Sequence, residues 1–153
     1  MLRRLIWSSV PSTVFSITHL VEVTTLSRRY NERHHISGML LFTGAHFLSI
    51  LEGDGRDLDP LWLRLARDDR HYRLSRVGDN LCGNRQFPDW VTAYVADPDV
   101  DAQIESLRPV PSRVESSCTT AGAPGGMPGP SQPRSPPMWS QIIHPIMMRG
   151  DSM

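Results

Sequence analysis

The sequence predicts an α+β domain built on a mixed five-stranded sheet, and three observations predict it. Apolar segments of strand length recur before residue 97. Two of them, Ile36–Phe42 and Phe47–Leu51, flank the turn Thr43-Gly44-Ala45 and read as a hairpin. Stretches of helical spacing precede and follow that hairpin.

Taken in order, Leu2–Ser8 reads as the first strand. Pro11 opens a helix to about Tyr30, with Val14, Ile17 and Val21 at helical spacing, although its Val and Thr residues are poor helix formers. The hairpin strands are apolar on both faces, which implies a sheet covered on each side. Its residues Leu40, Phe42, Leu48 and Ile50 read as one face to be buried, by the C-terminal segment or by a second copy of the chain, giving a homodimer. Asp54-Gly55-Arg56-Asp57 leads into a second helix, with Leu58, Leu61, Trp62 and Leu65 inward and Arg64, Arg67 and Asp68 toward solvent. Pro60 is expected in its first turn, where a missing N–H has no cost. Arg73–Leu81 and Trp90–Ala96 are the last strands. The order β-α-β-β-α-β-β, with two helices on one face, is a ferredoxin-like arrangement.

Length and composition bound the rest. The 153 residues suit one domain with a tail, and 39% hydrophobic with 21% charged residues is ordinary globular composition. All 16 basic residues are arginine, balanced by 16 acidic ones, so no general attraction to nucleic acid or anionic lipid is expected. The absence of lysine removes Schiff-base chemistry and a P-loop. Two cysteines, Cys82 and Cys118, make neither a disulfide framework nor a zinc site, and the chain reads as reduced and cytoplasmic. The apolar stretch before Ser8 is too short for a signal-peptide core, and no apolar run approaches the roughly 20 residues of a membrane helix. Residues 1–97 form the domain and 98–110 a short helix or connector. The Pro/Gly/Ser-rich stretch 111–137 reads as disordered linker, and 138–153 as an apolar segment broken by Pro145, so the tail as a whole is expected to be flexible.

Four blocks in register carry a resemblance: Ile36-Ser37-Gly38-Met39-Leu40-Leu41-Phe42, Phe47-Leu48-Ser49-Ile50-Leu51-Glu52-Gly53, Asp69-Arg70-His71, and Arg85-Gln86-Phe87-Pro88-Asp89-Trp90. In order and spacing, from about Met1 to Val95, they resemble the BLUF family, domains that sense blue light using FAD. The resemblance implies a flavin held between the two helices on one face of the sheet. It matches Asn31 to an asparagine that hydrogen-bonds the flavin ring, Ser27 to a polar residue one turn earlier, and Arg70 with His71 to a pair lining the cofactor's other side. The chemistry agrees: residues 27 and 31 share a helix face, an amide both donates and accepts, and arginine suits the ribityl or phosphate end.

Three positions depart from the family pattern. Trp7 stands where the family has a tyrosine on the first strand, Ser49 where it has a glutamine, and Thr92 where it often has a methionine. An indole N–H donates but cannot accept or relay a proton, and a serine is too short to reproduce a reorienting amide. The expectation is FAD binding at a site including Trp7, Ser27, Ser49, Asn31, Arg70 and His71, with an impaired or lost photocycle and output to an unidentified signalling protein. The alternative is a cofactor-free interaction module on the same fold. Structural roles stand beside the functional ones: Asn31 as a helix end, Arg70 and His71 as C-terminal caps, Trp7 and Trp90 as packing. No metal site is expected, since His34, His35 and His46 point apart. No enzyme chemistry is expected, since Glu52 lacks a partner carboxylate and no glycine-rich phosphate loop follows the first strand.

Overall fold

The computed structural model describes residues 1–108 and 138–148. The first stretch forms one unit; the second is helix α4 (Met138–Met148) of another, and each is described by itself. The predicted linker 111–137 lies outside the described residues. In α4 the helix continues through Pro145, which forgoes one backbone hydrogen bond without ending it.

The main unit runs β1 (Leu2–Pro11), α1 (Ile17–Arg33), β2 (Ser37–Phe42), β3 (Phe47–Asp54), α2 (Gly55–Leu65), β4 (His71–Leu81), β5 (Trp90–Tyr94) and α3 (Pro98–Ser106). The strands form one sheet in the order β4-β1-β3-β2-β5. Only β2 and β5 are parallel; β1 pairs antiparallel with β3 and β4, and β2 with β3. This is the ferredoxin-like order with a fifth strand at one edge.

Alternation along the central strands sorts the core. Leu5, Trp7, Leu40, Phe42, Phe47 and Leu51 cluster with Leu20 of α1 and Leu58 of α2 on the helix-bearing face. Ile6, Met39, Leu41, Leu48 and Ile50 point the other way and are at most 1% exposed. Each such aliphatic side chain contributes about 1.5–3 kcal/mol. The expectation of one face holding Leu40, Phe42, Leu48 and Ile50 is thus corrected: the hairpin register pairs Leu41 with Leu48 and Met39 with Ile50, so these four divide between two faces, both buried.

Two helix expectations are also corrected. Pro11 closes β1, and α1 starts six residues later at Ile17 behind Ser16, whose N–H donates to Nδ1 of His19 at 3.1 Å. That starting point rotates the helix. Val14, Ile17 and Val21 are 78%, 52% and 62% exposed, while Leu20 and Asn31 are buried. Pro60 is the sixth residue of α2, beyond the first turn, because the helix begins at Gly55 with Asp54 accepting from the N–H of Arg56. Gly38 is required by a close approach: its φ is +140°, and a Cβ there would lie 1.9 Å from the carbonyl oxygen of Ile50.

A buried carboxylate ties the β4–β5 loop to the sheet. Glu52, fully buried, accepts from Arg4 at 2.6 Å and from the N–H groups of Gln86 and Phe87. Arg85 donates to Ser37 Oγ and to the carbonyls of Glu52 and His35. The loop is thereby held where β5 begins, at Trp90.

Candidate functional site

Between α1, α2 and the sheet lies a cavity of about 600 Å³, well within the size range of small-molecule sites. The strands make its floor with Trp7, Leu40, Ser49 and Leu51; α1 supplies Ser27, Tyr30 and Asn31; α2 and the turn after it supply Leu61, Leu65, Asp68 and Arg70; His71 and Trp90 come from the starts of β4 and β5. Ser27, Asn31, Arg70, His71, Trp7 and Ser49, gathered from five elements, all line this one space.

Several polar groups on its walls lack a protein partner among the described residues. The indole N–H groups of Trp7 and Trp90 are buried without a hydrogen bond. Asn31 is 2% exposed. Its backbone carbonyl accepts from Ile36 N at 2.8 Å, while its side-chain amide meets no protein partner. Buried polar groups are normally satisfied, so this concentration marks a place built for a polar guest. Asn31 lies within the last turn of α1, two residues before its end, so the helix-end reading accounts for its backbone and leaves the amide unexplained.

The floor shows how the departures are arranged. Ser49 pairs across the sheet with Trp7 on one side and Leu40 on the other, and Leu40 pairs with Thr92. The three departures therefore share one row across the sheet. Ser49 Oγ is not free: it donates to the carbonyl of Met39 at 2.9 Å. The Trp7 and His71 rings lie 5.7 Å apart, centroid to centroid, tilted by 35°. Burial pushes the His71 imidazole below its ordinary pKa and favours the neutral ring.

Some site residues were not legible beforehand. Arg64 and Asp68 also line the cavity: Arg64 is exposed, as expected, and reaches over the Tyr30 ring at 4.6 Å, while Asp68 is half-buried because α2 ends at Leu65 and places it in a turn rather than on a helix face. Arg70 is held by Asp68 through two of its nitrogens, at 2.8 and 2.5 Å. Hydrogen bonding between them lowers the Asp68 pKa and raises that of Arg70. Arg70 lies beyond the end of α2 and bonds Asp68, whereas the His71 ring reaches back to the backbone carbonyl of Leu65, the last residue of α2. His34 pairs with Asp57, and His46 with Asp101 and Glu105. Among the described residues no group of three His, Cys, Asp or Glu could hold a metal ion, and no helix is long and apolar enough to cross a membrane.

A family model described as sensors of blue-light using FAD matches residues 2–93. The chain belongs to the BLUF family. The blue light- and temperature-regulated antirepressor BluF of Escherichia coli K12 is 30% identical over 87 residues, covering 57% of this chain and 22% of that protein. The photoactivated adenylate cyclase subunit alpha of Euglena gracilis is 28% identical over 91 residues, covering 58% of this chain and 9% of that protein. The chain thus spans under a quarter of either relative and matches them through the BLUF domain. Among solved structures, the BLUF protein BlrB in its dark state is similar with a TM-score of 0.59 at 28% identity, over 69% of this chain and 80% of that one. A bacterial light-regulated adenylyl cyclase matches with a TM-score of 0.61 at 26% identity, over 70% of this chain and 33% of that one.

The residues present fit the family's flavin. A flat heterocycle with polar edges needs apolar walls and a few donors and acceptors, and this BLUF cavity offers both. Trp7 and Trp90 supply unpartnered indole N–H groups, Asn31 an amide, and Leu40, Leu51, Leu61 and Leu65 the apolar surface.

Proposed function

We propose that this BLUF domain retains its flavin but has lost the hydrogen-bond switch that reports blue light. In this reading the Asn31 amide holds the polar edge of the ring system with Ser27 one turn earlier. His71, neutral, lies on the opposite side, where Asp68 keeps Arg70 in place. When bound, the flavin supplies the blue-absorbing chromophore.

The observation that carries the reading is the Trp7–Ser49 pair in the cavity floor. Trp7 offers one N–H and no acceptor, so it cannot pass a proton along and receive it back. Ser49 already donates to Met39 and cannot span the distance an amide side chain would cover. Neither residue can store two hydrogen-bond arrangements, which a switch requires. Output, as the names of the cyclase relatives suggest, would pass to an effector outside this domain, and the domain itself acts as a sensor rather than an enzyme.

The test is an absorption spectrum of the purified full chain, expressed with riboflavin supplied, before and after blue light. A flavin band that does not shift is expected. A reversible red shift would refute the lost switch, and no band at all would favour a cofactor-free interaction module.

A further inference from the structure

Away from the cavity, α3 is fastened to the hairpin turn through one histidine. The His46 side chain, 14% exposed, sets Nδ1 3.0 Å from Asp101 and Nε2 3.0 Å from Glu105. Asp101 and Glu105 stand one turn apart on α3 and grip the ring from one face of that helix. Thr43 fixes the turn: its Oγ accepts from the N–H of His46 at 2.9 Å and donates to Asp101. Among the described residues the charged groups at this contact are Asp101 and Glu105 of α3, Arg73 of β4 and Arg108 just after α3. Both arginines lie against Glu105. Apart from this polar contact α3 holds on by little, since Ile104 is the one buried residue of its nine.

An ionised carboxylate only accepts hydrogen bonds, and a neutral imidazole carries a single N–H. Satisfying both contacts therefore takes an N–H on each ring nitrogen, which makes the ring an imidazolium. We propose that His46 is a proton-operated clasp: protonated, it docks α3 on the hairpin turn; deprotonated, it turns a lone pair toward one carboxylate and loosens the helix. Histidine changes charge between about pH 5 and 8, whereas arginine keeps its charge throughout that range, so the change falls on His46 rather than on Arg73 or Arg108. The docked form binds one proton more than the loosened one. Docking accordingly weakens as pH rises, by at most about tenfold per pH unit. Because α3 is the last element of its unit, the clasp sets whether the chain leaves this domain from a fixed point. None of these residues lines the flavin cavity, and the proposal is independent of the flavin reading.

The test uses the full chain, isotopically labelled for nitrogen NMR. The ring-nitrogen shifts of His46 report its protonation, and hydrogen exchange of the α3 amides, corrected for intrinsic rates, reports docking. At about pH 6 both ring nitrogens should carry protons and α3 should be protected. Between about pH 6 and 8 that protection should fall about tenfold, in step with the loss of one ring proton. E105Q should flatten the dependence and keep α3 protected, because an amide can donate to the bare nitrogen of a neutral ring. H34Q, at the histidine that pairs with Asp57 instead, should leave the dependence as it is. A His46 ring carrying a single N–H at about pH 6 would overturn the proposal. So would α3 protection that stays flat across the range, or a pH dependence that survives E105Q unchanged.

Discussion

Replacing the floor pair together, W7Y with S49Q, should rebuild what either change alone damages. Ser49 is fully buried, Trp7 is 5% exposed, and the two are direct partners across β1 and β3. S49Q alone pushes an amide against the indole, an overpacking cost of about 1–3 kcal/mol, and leaves polar atoms unpaired for about 1–3 kcal/mol more. W7Y alone removes ring volume and buries a hydroxyl with no acceptor, for about 1–3 kcal/mol. In the double variant the smaller ring makes room for the amide, and hydroxyl and amide satisfy each other. The double-mutant cycle should therefore show a favourable coupling of about 1.5–3 kcal/mol. Thermal melts would report this as a double variant some 6–12 °C more stable than the two single losses predict, at about 4 °C per kcal/mol for a domain of this size. The same samples, loaded with flavin, should show a light-induced red shift in the double variant and in neither single one. Additive stabilities within about 0.5 kcal/mol would refute the packing argument, and a flavin-loaded double variant blind to light would refute the assignment of the switch to this pair.

Four further outcomes follow from the same geometry. N31A should weaken flavin binding about tenfold while changing the stability of the flavin-free chain by under about 1 kcal/mol, because the amide it removes has no protein partner; paired flavin titration and melting curves check both halves. E52A should cost about 3–5 kcal/mol, since it removes the buried ion pair with Arg4 and the acceptor of the Gln86 and Phe87 N–H groups, and denaturant unfolding would measure it. G38A should cost several kcal/mol or abolish folding, with the new Cβ driven into the Ile50 carbonyl, as seen in soluble yield and melting temperature. His71 gives a pH signature. Burial lowers its folded pKa, so below about 6.5 the unfolded chain binds the extra proton first, and stability falls with pH from there down to the folded value. H71Q should flatten that segment of a stability profile taken between pH 5 and 8.

The site was partly legible because four blocks of sequence resemble the BLUF family, and that resemblance pointed to Ser27, Asn31, Trp7 and Ser49; the i,i+4 spacing of Ser27 and Asn31 on one helix face agrees with it. Arg64 and Asp68 were not legible, since an arginine and an aspartate near a helix end read as solvated face until the end of α2 at Leu65 and the ring of Tyr30 are known. The start of α1 was missed for a local reason. Its cap is Ser16 with His19 rather than a serine followed by an acidic residue, so Pro11 looked like the opening when it belongs to β1.

What the sequence by itself determined is the element order and the chemistry it permits. Periodicity and turn residues are local properties, and they set βαββαββ, the hairpin at Thr43–Ala45 and the family whose motifs the chain carries. Side-chain type also carries the proposed loss of the switch, because an indole N–H cannot accept and a serine is too short to reproduce a reorienting amide. The tertiary structure decided which groups meet. Sheet register made Trp7 and Ser49 partners and put Thr92 in their row. The turn after α2 joined Asp68 to Arg70. Pairing and compensation depend on distances between residues far apart in the chain, and folding alone sets those distances.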